Sequence, residues 1–458
     1  MRSLVWFRND LRTSDNPALA SAAAQGEVEA VFVFSAGQWR AHDVGDRRFS
    51  WVLRTLHALN EKLAGLGMPL HVLEVDRFRD VPAALVRLAK DRDADRVSFN
   101  AEYPLNEHRR DTAASAALQA AGVAVDVHHG SVVRQPGTVL TGDGRPYTVF
   151  TPFKKRWLST LASADLSTHA APEAQAAGVR AAKLPEVVDG VKADFDEHDF
   201  AAGEDAAHQR LQQFVSRHLL SYEARRDFPA LPGTSGISAD LAVGALSPRQ
   251  CLQLAAKSEP LHDSTWASEL IWREFYKHVI AAFPHVSRGE PFKRDYAALR
   301  WEDDEAGFAA WREGRTGYPL VDAGMRQLNE TGWMHNRLRM VTAMFLTKHL
   351  LIDWRKGEQY FMRQLIDGDF AANNGGWQWS ASTGTDAAPY FRVFNPATQG
   401  KRFDAGGAFT RAWVPELADV PDKYLFEPWK VGADLSYPAP VVEHDMARKR
   451  AIERFKAL

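Results

Sequence analysis

Cysteine and long apolar runs are almost absent from this chain. A single cysteine, Cys251, among 458 residues excludes an internal disulfide framework and fits a reducing compartment. No Cys/His cluster has the spacing of a zinc site, so no metal is predicted. No apolar run reaches the roughly 18 residues of a membrane span, and the N-terminal MRSLVWFRND lacks the apolar core of a signal peptide. These absences predict a cytoplasmic protein without a membrane span.

A large net charge is absent as well. The 56 basic and 58 acidic residues leave a formal net charge of −2, so a nucleic-acid surface can only be a local patch. Basic residues recur in separate runs, which suits contacts to a phosphate backbone, although a single run is usually solvated surface. The runs are Lys154-Lys155-Arg156, Arg225-Arg226, Lys293-Arg294 and Lys401-Arg402.

The chain is long enough for two or three domains. Residues 1–130 alternate short apolar runs with helical patterns, which predicts an α/β domain with a doubly wound parallel sheet. No G-x-G-x-x-G follows the first strand, so a Rossmann dinucleotide site is not predicted. Residues 131–203 are rich in Gly, Pro and Thr and then in Ala, Pro and Asp, which predicts an interdomain connector. Helical periodicity dominates residues 204–458 and predicts an all-α domain.

Residues 367–396, DGDFAANNGGWQWSASTGTDAAPYFRVFNP, combine residue types that rarely occur together. Asn-Asn and Gly-Gly pairs weaken a helix interior, so an ordinary core helix is not expected. Trp-Gln-Trp in this polar setting indicates rings presented to a flat ligand. An irregular buried loop with two core tryptophans is the alternative. Most of the 14 tryptophans lie between Trp266 and Trp429, which indicates aromatic chemistry in this half of the chain.

A predicted helix over residues 266–283 carries a mixed polar and aromatic face. Glu269, Trp272, Arg273 and Tyr276 follow the spacing i, i+3, i+4 and i+7. Such a face is either solvated or the wall of a pocket that is both polar and aromatic.

Two further patterns suggest anion binding. Arg337 and Arg339 lie about 200° apart on a helical wheel, so they cannot serve one ligand from the same side. The turn GTSGIS, residues 233–238, offers hydroxyls and backbone N–H groups that could cradle phosphates, although such loops usually only connect elements.

Five long motifs together resemble the DNA photolyase/cryptochrome family, and most closely the bacterial class I cyclobutane pyrimidine dimer photolyases of the folate type. The likeness covers essentially the whole chain and is weakest in residues 160–205. It implies an α/β antenna domain and a helical FAD-binding domain. The motifs are WFRNDLRTSDNPAL, GTSGIS, ELIWREFY, GYPLVDAGMRQLNETGWMHNRLRM and IDGDFAANNGGWQWSASTGTDAAPYFRVFNP.

The resemblance implies light-driven repair of pyrimidine dimers in UV-damaged DNA. In this family the dimer is flipped out of the duplex and receives an electron from photoexcited, reduced FAD. A monomer without an obligate protein partner is expected. A cryptochrome photoreceptor, a (6-4) photolyase and a non-catalytic flavoprotein that binds DNA are the alternatives. A (6-4) photolyase is expected to carry a histidine where this chain has Met340.

The resemblance also assigns roles to individual residues. Asn373 would face the flavin N5, Glu269 would hydrogen-bond the dimer, and Trp377, Trp354 and Trp301 would relay electrons to the flavin. The residues implied to hold FAD are Tyr222, Thr234, Ser235, Gly236, Ile237, Ser238, Trp266, Glu269, Arg273, Asn336, Arg339, Asp367, Gly368, Asp369 and Asn373. Those implied to contact the lesion or the DNA are Glu269, Trp272, Tyr276, Asn336, Arg337, Met340, Trp379, Gln399 and Arg226.

An antenna chromophore is implied as well. His42, Asn106 and Glu107 stand where folate-type members hold 5,10-methenyltetrahydrofolate. Arg288 stands where a lysine is common, so the basic group is kept with a different geometry. A deazaflavin or an empty site is the alternative.

Overall fold

The computed structural model describes residues 1–175, 179–192, 201–431 and 435–458. The chain divides into two compact units. The first comprises Met1–Leu220, Ser235–Pro284 and Ile366–Ala371, and the second Ser221–Thr234, His285–Leu365 and Ala372–Leu458. The domain limits predicted after residues 130 and 203 remain a prediction.

The first unit contains a five-stranded parallel sheet with the strand order β3-β2-β1-β4-β5. Strands β1 and β2 are buried along almost their whole length, as expected for central strands of an α/β sheet. The predicted doubly wound α/β fold is confirmed. The strands are β1 (Arg2–Phe7), β2 (Glu27–Phe34), β3 (Leu70–Glu74), β4 (Arg96–Asn100) and β5 (Ala124–His128), and a short antiparallel pair follows, β6 (Val187–Val188) and β7 (Val191–Lys192).

Helices occupy most of the remaining chain, and no helix among the described residues is long and apolar enough to cross a membrane. The α-helices are α1 (Pro17–Ala23), α2 (Ala36–Ala41), α3 (Asp46–Gly65), α4 (Val81–Asp91), α5 (Leu105–Ala120), α6 (Phe150–Ser159), α7 (Glu204–Arg217), α8 (Tyr222–Arg225), α9 (Ser238–Val243), α10 (Pro248–Ala255), α11 (Thr265–Ala282), α12 (Glu305–Arg312), α13 (Pro319–Thr331), α14 (Asn336–Met344), α15 (Trp354–Gln364), α16 (Phe370–Ala381), α17 (Pro396–Phe403), α18 (Ala408–Trp413) and α19 (His444–Lys456).

Local sequence explains where several helices begin. Asn16 accepts a hydrogen bond from the backbone N–H of Leu19 at 3.2 Å and precedes Pro17, the first residue of α1. Ser264 caps α11 in the same way, with the N–H of Ala267 at 3.1 Å. Helix α6 was not expected, because its apolar residues stand in a segment that reads as a connector.

The second unit is built around a large apolar core. Helices α13, α14 and α15 contribute buried aliphatic and aromatic side chains to it. The indoles of Trp311, Trp354 and Trp377 are almost completely buried there, and Trp301 packs against the same cluster while remaining partly exposed.

Candidate active site

Helix α11 presents one half-buried face in the first unit. Most of its side chains are buried, whereas Glu269, Trp272, Arg273 and Tyr276 each keep partial access to solvent. The structure therefore brings these four predicted site residues onto one strip. Thr265 and Lys277 are half-buried as well, and Ala281 and Ala282 at the C-terminal end are exposed, so this strip is one of the parts of α11 that a ligand can reach.

Arg273 in this strip and Trp266 one turn before it are held by hydrogen bonds or packing. The Arg273 guanidinium donates to the backbone oxygens of Ser131 at 2.9 Å and Leu241 at 3.1 Å. Trp266 is buried and its ring lies 5.1 Å from that of Phe214. Both residues, predicted to line the flavin, are therefore held in place by the protein itself.

Residues 235–238 of the predicted phosphate-binding turn belong to the first unit. Gly236 has a φ of +66°, a left-handed conformation that favours glycine, and a Cβ added there would meet no atom within 4 Å. Ser235 is half-buried and Ser238 is exposed at the start of α9, while Ile237 is buried. Open space thus lies beside a turn rich in hydroxyl groups.

A half-buried ion pair accompanies the DGD motif, residues 367–369. The Lys277 Nζ lies 3.3 Å from a carboxylate oxygen of Asp369, and burial lowers the pKa of Lys277. Burial also lowers the pKa of Arg48 to about 10, against the opposing influence of Asp369 and Asp367. Asp367 is buried and Gly368 half-buried. Sequence reasoning missed Lys277 and Arg48, although Lys277 follows Arg273 by one helical turn.

Helix α14 carries predicted site residues of the second unit. The Arg337 guanidinium binds Asp227 at 2.7 Å, whereas the Arg339 Nε donates to the backbone oxygen of Met334 at 2.8 Å. The two arginines thus have different partners, as their separation on the wheel predicts. Asn336 is exposed and Met340 half-buried.

His335 caps helix α14. Its Nδ1 accepts a hydrogen bond from the N–H of Arg337 at 3.1 Å, and burial lowers the pKa of His335 to about 4. The imidazole is therefore neutral near pH 7, which is the form that can accept this bond.

The Asn-Asn-Gly-Gly-Trp stretch forms helix α16, so the alternative of an irregular loop is wrong; the helix is only partly buried. Its polar side chains find partners that offset their poor helix propensity. Asn374 donates to a carboxylate oxygen of Glu358 at 2.8 Å and accepts from Gln378 at 3.0 Å. Asn373 is half-buried and donates to the backbone oxygen of Glu358 at 3.1 Å.

The two tryptophans of α16 have different environments. Trp377 is buried, with its ring 4.9 Å from that of Phe361 and 5.9 Å from that of Trp311. Trp379 is half-buried. Residues two apart on a helix point about 200° apart, so one indole belongs to the core and the other reaches the surface.

Other predicted site residues of the second unit lie outside helices α14 and α16. Tyr222 is buried in α8, and the Arg226 guanidinium lies 5.4 Å from its ring centre. Thr234 and Gln399 are half-buried, and Arg288 is exposed.

Three predicted antenna residues meet in the first unit. The His42 Nε2 lies 2.9 Å from the Asn106 amide nitrogen and 3.0 Å from that of Gln38, and its Nδ1 lies 3.4 Å from Glu107. Two amide donors at Nε2 and a carboxylate at Nδ1 favour the tautomer that carries its proton on Nδ1. His42, Gln38 and Glu107 are half-buried and Asn106 is exposed, and the resemblance pointed to all of them except Gln38.

Comparison with known proteins identifies the family. Residues 3–175 match the family model described as DNA photolyase, and residues 266–457 match the FAD binding domain of DNA photolyase. The chain belongs to the DNA photolyase family. It is 47% identical to the deoxyribodipyrimidine photo-lyase of Salmonella typhimurium and 46% identical to that of Escherichia coli, with 99% of this chain and 98% of each relative covered.

Solved structures of photolyases and cryptochromes share the fold. A bacterial class III photolyase from Agrobacterium tumefaciens matches with a TM-score of 0.87 at 37% identity, over 100% of this chain and 97% of that one. A cryptochrome from Synechocystis matches with a TM-score of 0.84 at 28% identity, over 99% of both chains. The fold alone therefore does not separate a photolyase from a cryptochrome.

FAD is the cofactor of this photolyase, and the residues present fit it. Gly236 has open space where a Cβ would lie, in a turn that also carries the hydroxyl groups of Ser235 and Ser238. Arginine, lysine and carboxylate groups on α11 and in the DGD motif supply polar partners of both charges. Within the described ranges, no group of three or more His, Cys, Asp or Glu is placed to hold a metal ion.

Proposed function

We propose that this chain is a deoxyribodipyrimidine photo-lyase that repairs cyclobutane pyrimidine dimers in DNA with light. The half-buried face of α11 is the observation that carries the proposal. It places a carboxyl group, an indole and a phenol on one half-buried strip of a helix whose side chains are mostly buried. The identity of 43–47% with full-length photo-lyases from three bacteria supports the same function.

FAD, when bound, supplies the light absorption and the electron for repair. The chain's own residues bind and orient it. Ser235, Gly236 and Ser238, with Tyr222 and Thr234, would hold the phosphates through hydroxyl and backbone N–H groups. Residues implied to line the flavin are Trp266, Glu269, Arg273, Asn336, Arg339, Asp367, Gly368, Asp369 and Asn373.

The α11 face would bind the flipped-out dimer. Glu269 would hydrogen-bond the C4 carbonyl or the N3 edge of the dimer, and a hydrogen bond to a charged group is worth about 1.5–3 kcal/mol. Trp272 and Trp379 offer flat apolar surfaces, on which stacking is worth about 1–3 kcal/mol per base. Flipping costs a few kcal/mol and least for a damaged base, so these contacts suffice to select the lesion.

The buried indoles suit an internal electron path. Trp377 and Trp354 are almost inaccessible, while Trp301 packs against the same core and reaches the surface. An order from buried to exposed is what a relay between a flavin and external reductants needs. We assign Trp377, Trp354 and Trp301 to this relay.

Contacts with DNA would come from Arg226, Arg337 and Gln399, and phosphate contacts make binding salt-dependent. We further propose a cytoplasmic monomer.

The cluster of His42, Asn106 and Glu107 would hold an antenna pigment, with methenyltetrahydrofolate as first candidate. A folate absorbance band in the purified protein that disappears in His42→Ala supports this assignment, and an unchanged band rejects it.

A repair assay with two lesions tests the function. Purified protein with chemically reduced flavin is illuminated with blue light on oligonucleotides that carry a cyclobutane dimer or a (6-4) product. We expect repair of the cyclobutane dimer alone. Repair of the (6-4) product alone would reassign the substrate, and repair of neither would favour the cryptochrome alternative.

A further inference from the structure

The ring of Trp272 is covered on one face by the ring of Phe150. The two ring centres lie 3.7 Å apart with an angle of 11° between the planes, so the rings overlap face to face. Aromatic pairs in proteins more often have centres about 4.5–7 Å apart in offset or edge arrangements. Phe150 is buried and Trp272 half-buried, so solvent reaches a part of the indole that Phe150 does not cover. The rings of Phe275 and Tyr276 lie beside the indole, with ring centres 5.7 Å and 5.6 Å away.

Phe150 is the first residue of α6, and α6 is anchored on α11 by buried polar contacts. The Trp157 indole N–H donates to Glu274 at 2.6 Å, and the Lys154 Nζ donates to the Ser268 hydroxyl at 2.5 Å. Burial raises the pKa of Glu274, which also accepts the backbone N–H groups of Val133 and Arg134. These bonds fix α6 relative to α11, so Phe150 cannot withdraw from Trp272.

A ring held in this way can stack with only one partner. A nucleobase needs one open, flat face, and the indole side chain otherwise rotates about two bonds. Phe150 occupies one face and thereby determines the plane and direction of the other. The apolar contact surface offered to a ligand is therefore fixed before the ligand arrives, which reduces the ordering cost of binding.

We propose that Phe150 is a positioning residue for substrate, which holds the Trp272 indole so that its open face stacks on the flipped-out dimer. The segment that reads as a connector thus supplies the rear wall of the lesion site. This inference rests on the proposed function and adds a residue outside the predicted site.

The test compares Phe150→Leu with Phe153→Leu in the holoprotein. Phe153 lies one turn further along α6, and its ring centre is 5.1 Å from those of Phe275 and His278. Phe153→Leu therefore removes the same ring volume from α6 as Phe150→Leu but leaves the ring that stacks on Trp272 in place. The readouts are the Kd for a dimer-containing oligonucleotide, the Kd for the undamaged oligonucleotide, and the repair rate at saturating substrate.

We expect Phe150→Leu to raise the Kd for the dimer about 3- to 10-fold, the size expected for loss of one aromatic pair. The Kd for undamaged DNA and the saturated repair rate should stay unchanged, and Phe150→Tyr should restore dimer binding. Phe153→Leu should leave all three values near wild type. In the Trp272→Leu background, Phe150→Leu should have no further effect on dimer affinity.

Equal dimer affinity in Phe150→Leu and wild type would overturn the proposal. So would additive losses in the double variant, because they would separate Phe150 from Trp272. If Phe150→Leu does not fold, Phe150→Tyr and Phe150→Met still test the role. The proposal then requires that Phe150→Tyr bind the dimer about as tightly as wild type and that Phe150→Met bind it more weakly. A wild-type protein that neither prefers nor repairs the dimer would instead reject the proposed function itself.

Discussion

Gly357 lies against the buried indole of Trp377, and this contact gives a sharp test of the core of the second unit. A Cβ at residue 357 would lie 2.1 Å from the Trp377 Cη2 and 2.7 Å from a methyl carbon of Leu346. Non-bonded carbon atoms are best separated by about 3.5 Å or more, so the indole would have to move by about 1.4 Å to restore an ordinary contact. Phe361 and Trp311 pack on the same ring and oppose this movement.

Two opposing effects decide the stability of Gly357→Ala. Overpacking a core costs about 1–3 kcal/mol, and the depth of this overlap places the cost near the upper end. Replacing glycine by alanine within a helix returns about 1 kcal/mol. We therefore expect a net loss of about 2 kcal/mol.

Gly376→Ala is the matched control. Gly376 lies in helix α16, is exposed, and has no atom within 4 Å of an added Cβ. It should gain about 0.5–1 kcal/mol from helix propensity alone. Urea unfolding of the holoprotein, followed by tryptophan fluorescence, should separate the variants by about 3 kcal/mol. A Gly357→Ala variant as stable as Gly376→Ala would refute this account of the packing around Trp377.

Three further predictions concern the relay, acid stability and the cofactor. Trp301→Phe should slow photoreduction of oxidised flavin yet leave repair intact when the flavin is reduced beforehand; unchanged photoreduction would remove Trp301 from the relay. Burial alone would raise the pKa of Glu204, but hydrogen bonds from Ser14 and Thr13 bring this pKa below the ordinary value of 4.5. The ionised Glu204 therefore stabilises the fold above pH 4.5, and this contribution is lost as the pH falls further. Glu204→Gln should therefore flatten the dependence of the unfolding free energy on pH between about pH 5 and 3, and an unchanged slope would contradict this. Lys277→Met should lower the amount of FAD that the protein retains through gel filtration, measured by absorbance. Lys277→Arg keeps the charge opposite Asp369 and should retain most of the FAD. Equal FAD retention in the two variants would show that the ion pair is dispensable.

The sequence predicted elements whose pattern is local. The alternation of apolar runs predicted the parallel sheet, and the 3.6-residue period predicted that Glu269, Trp272 and Tyr276 share one face. Helix α16 escaped prediction because its stability depends on a distant partner, Glu358, which no local rule reveals. The grouping of His42 with Asn106 was predicted from the family resemblance, because no periodicity in the sequence links the two residues.

Tertiary contacts also explain what was missed at the site. Phe150 stands in a segment rich in Gly, Pro and Thr, and only its stacking on Trp272 shows its place. Lys277 could have been found as the next turn of the predicted face, but its pairing with Asp369 joins residues 92 positions apart by their numbers. Contacts of this kind follow from the fold and not from composition.

The carboxyl group of Glu269 tests most directly whether the α11 face binds the dimer. The measurement is the rate of blue-light repair of a cyclobutane dimer by Glu269→Gln with reduced flavin, at a fixed substrate concentration below saturation. Glu453→Gln, an exposed site on α19, serves as control. We expect repair by Glu269→Gln, expressed per bound FAD, to fall about 10- to 100-fold, the equivalent of about 1.5–3 kcal/mol. Repair at the rate of Glu453→Gln would contradict the assignment of this face to the lesion.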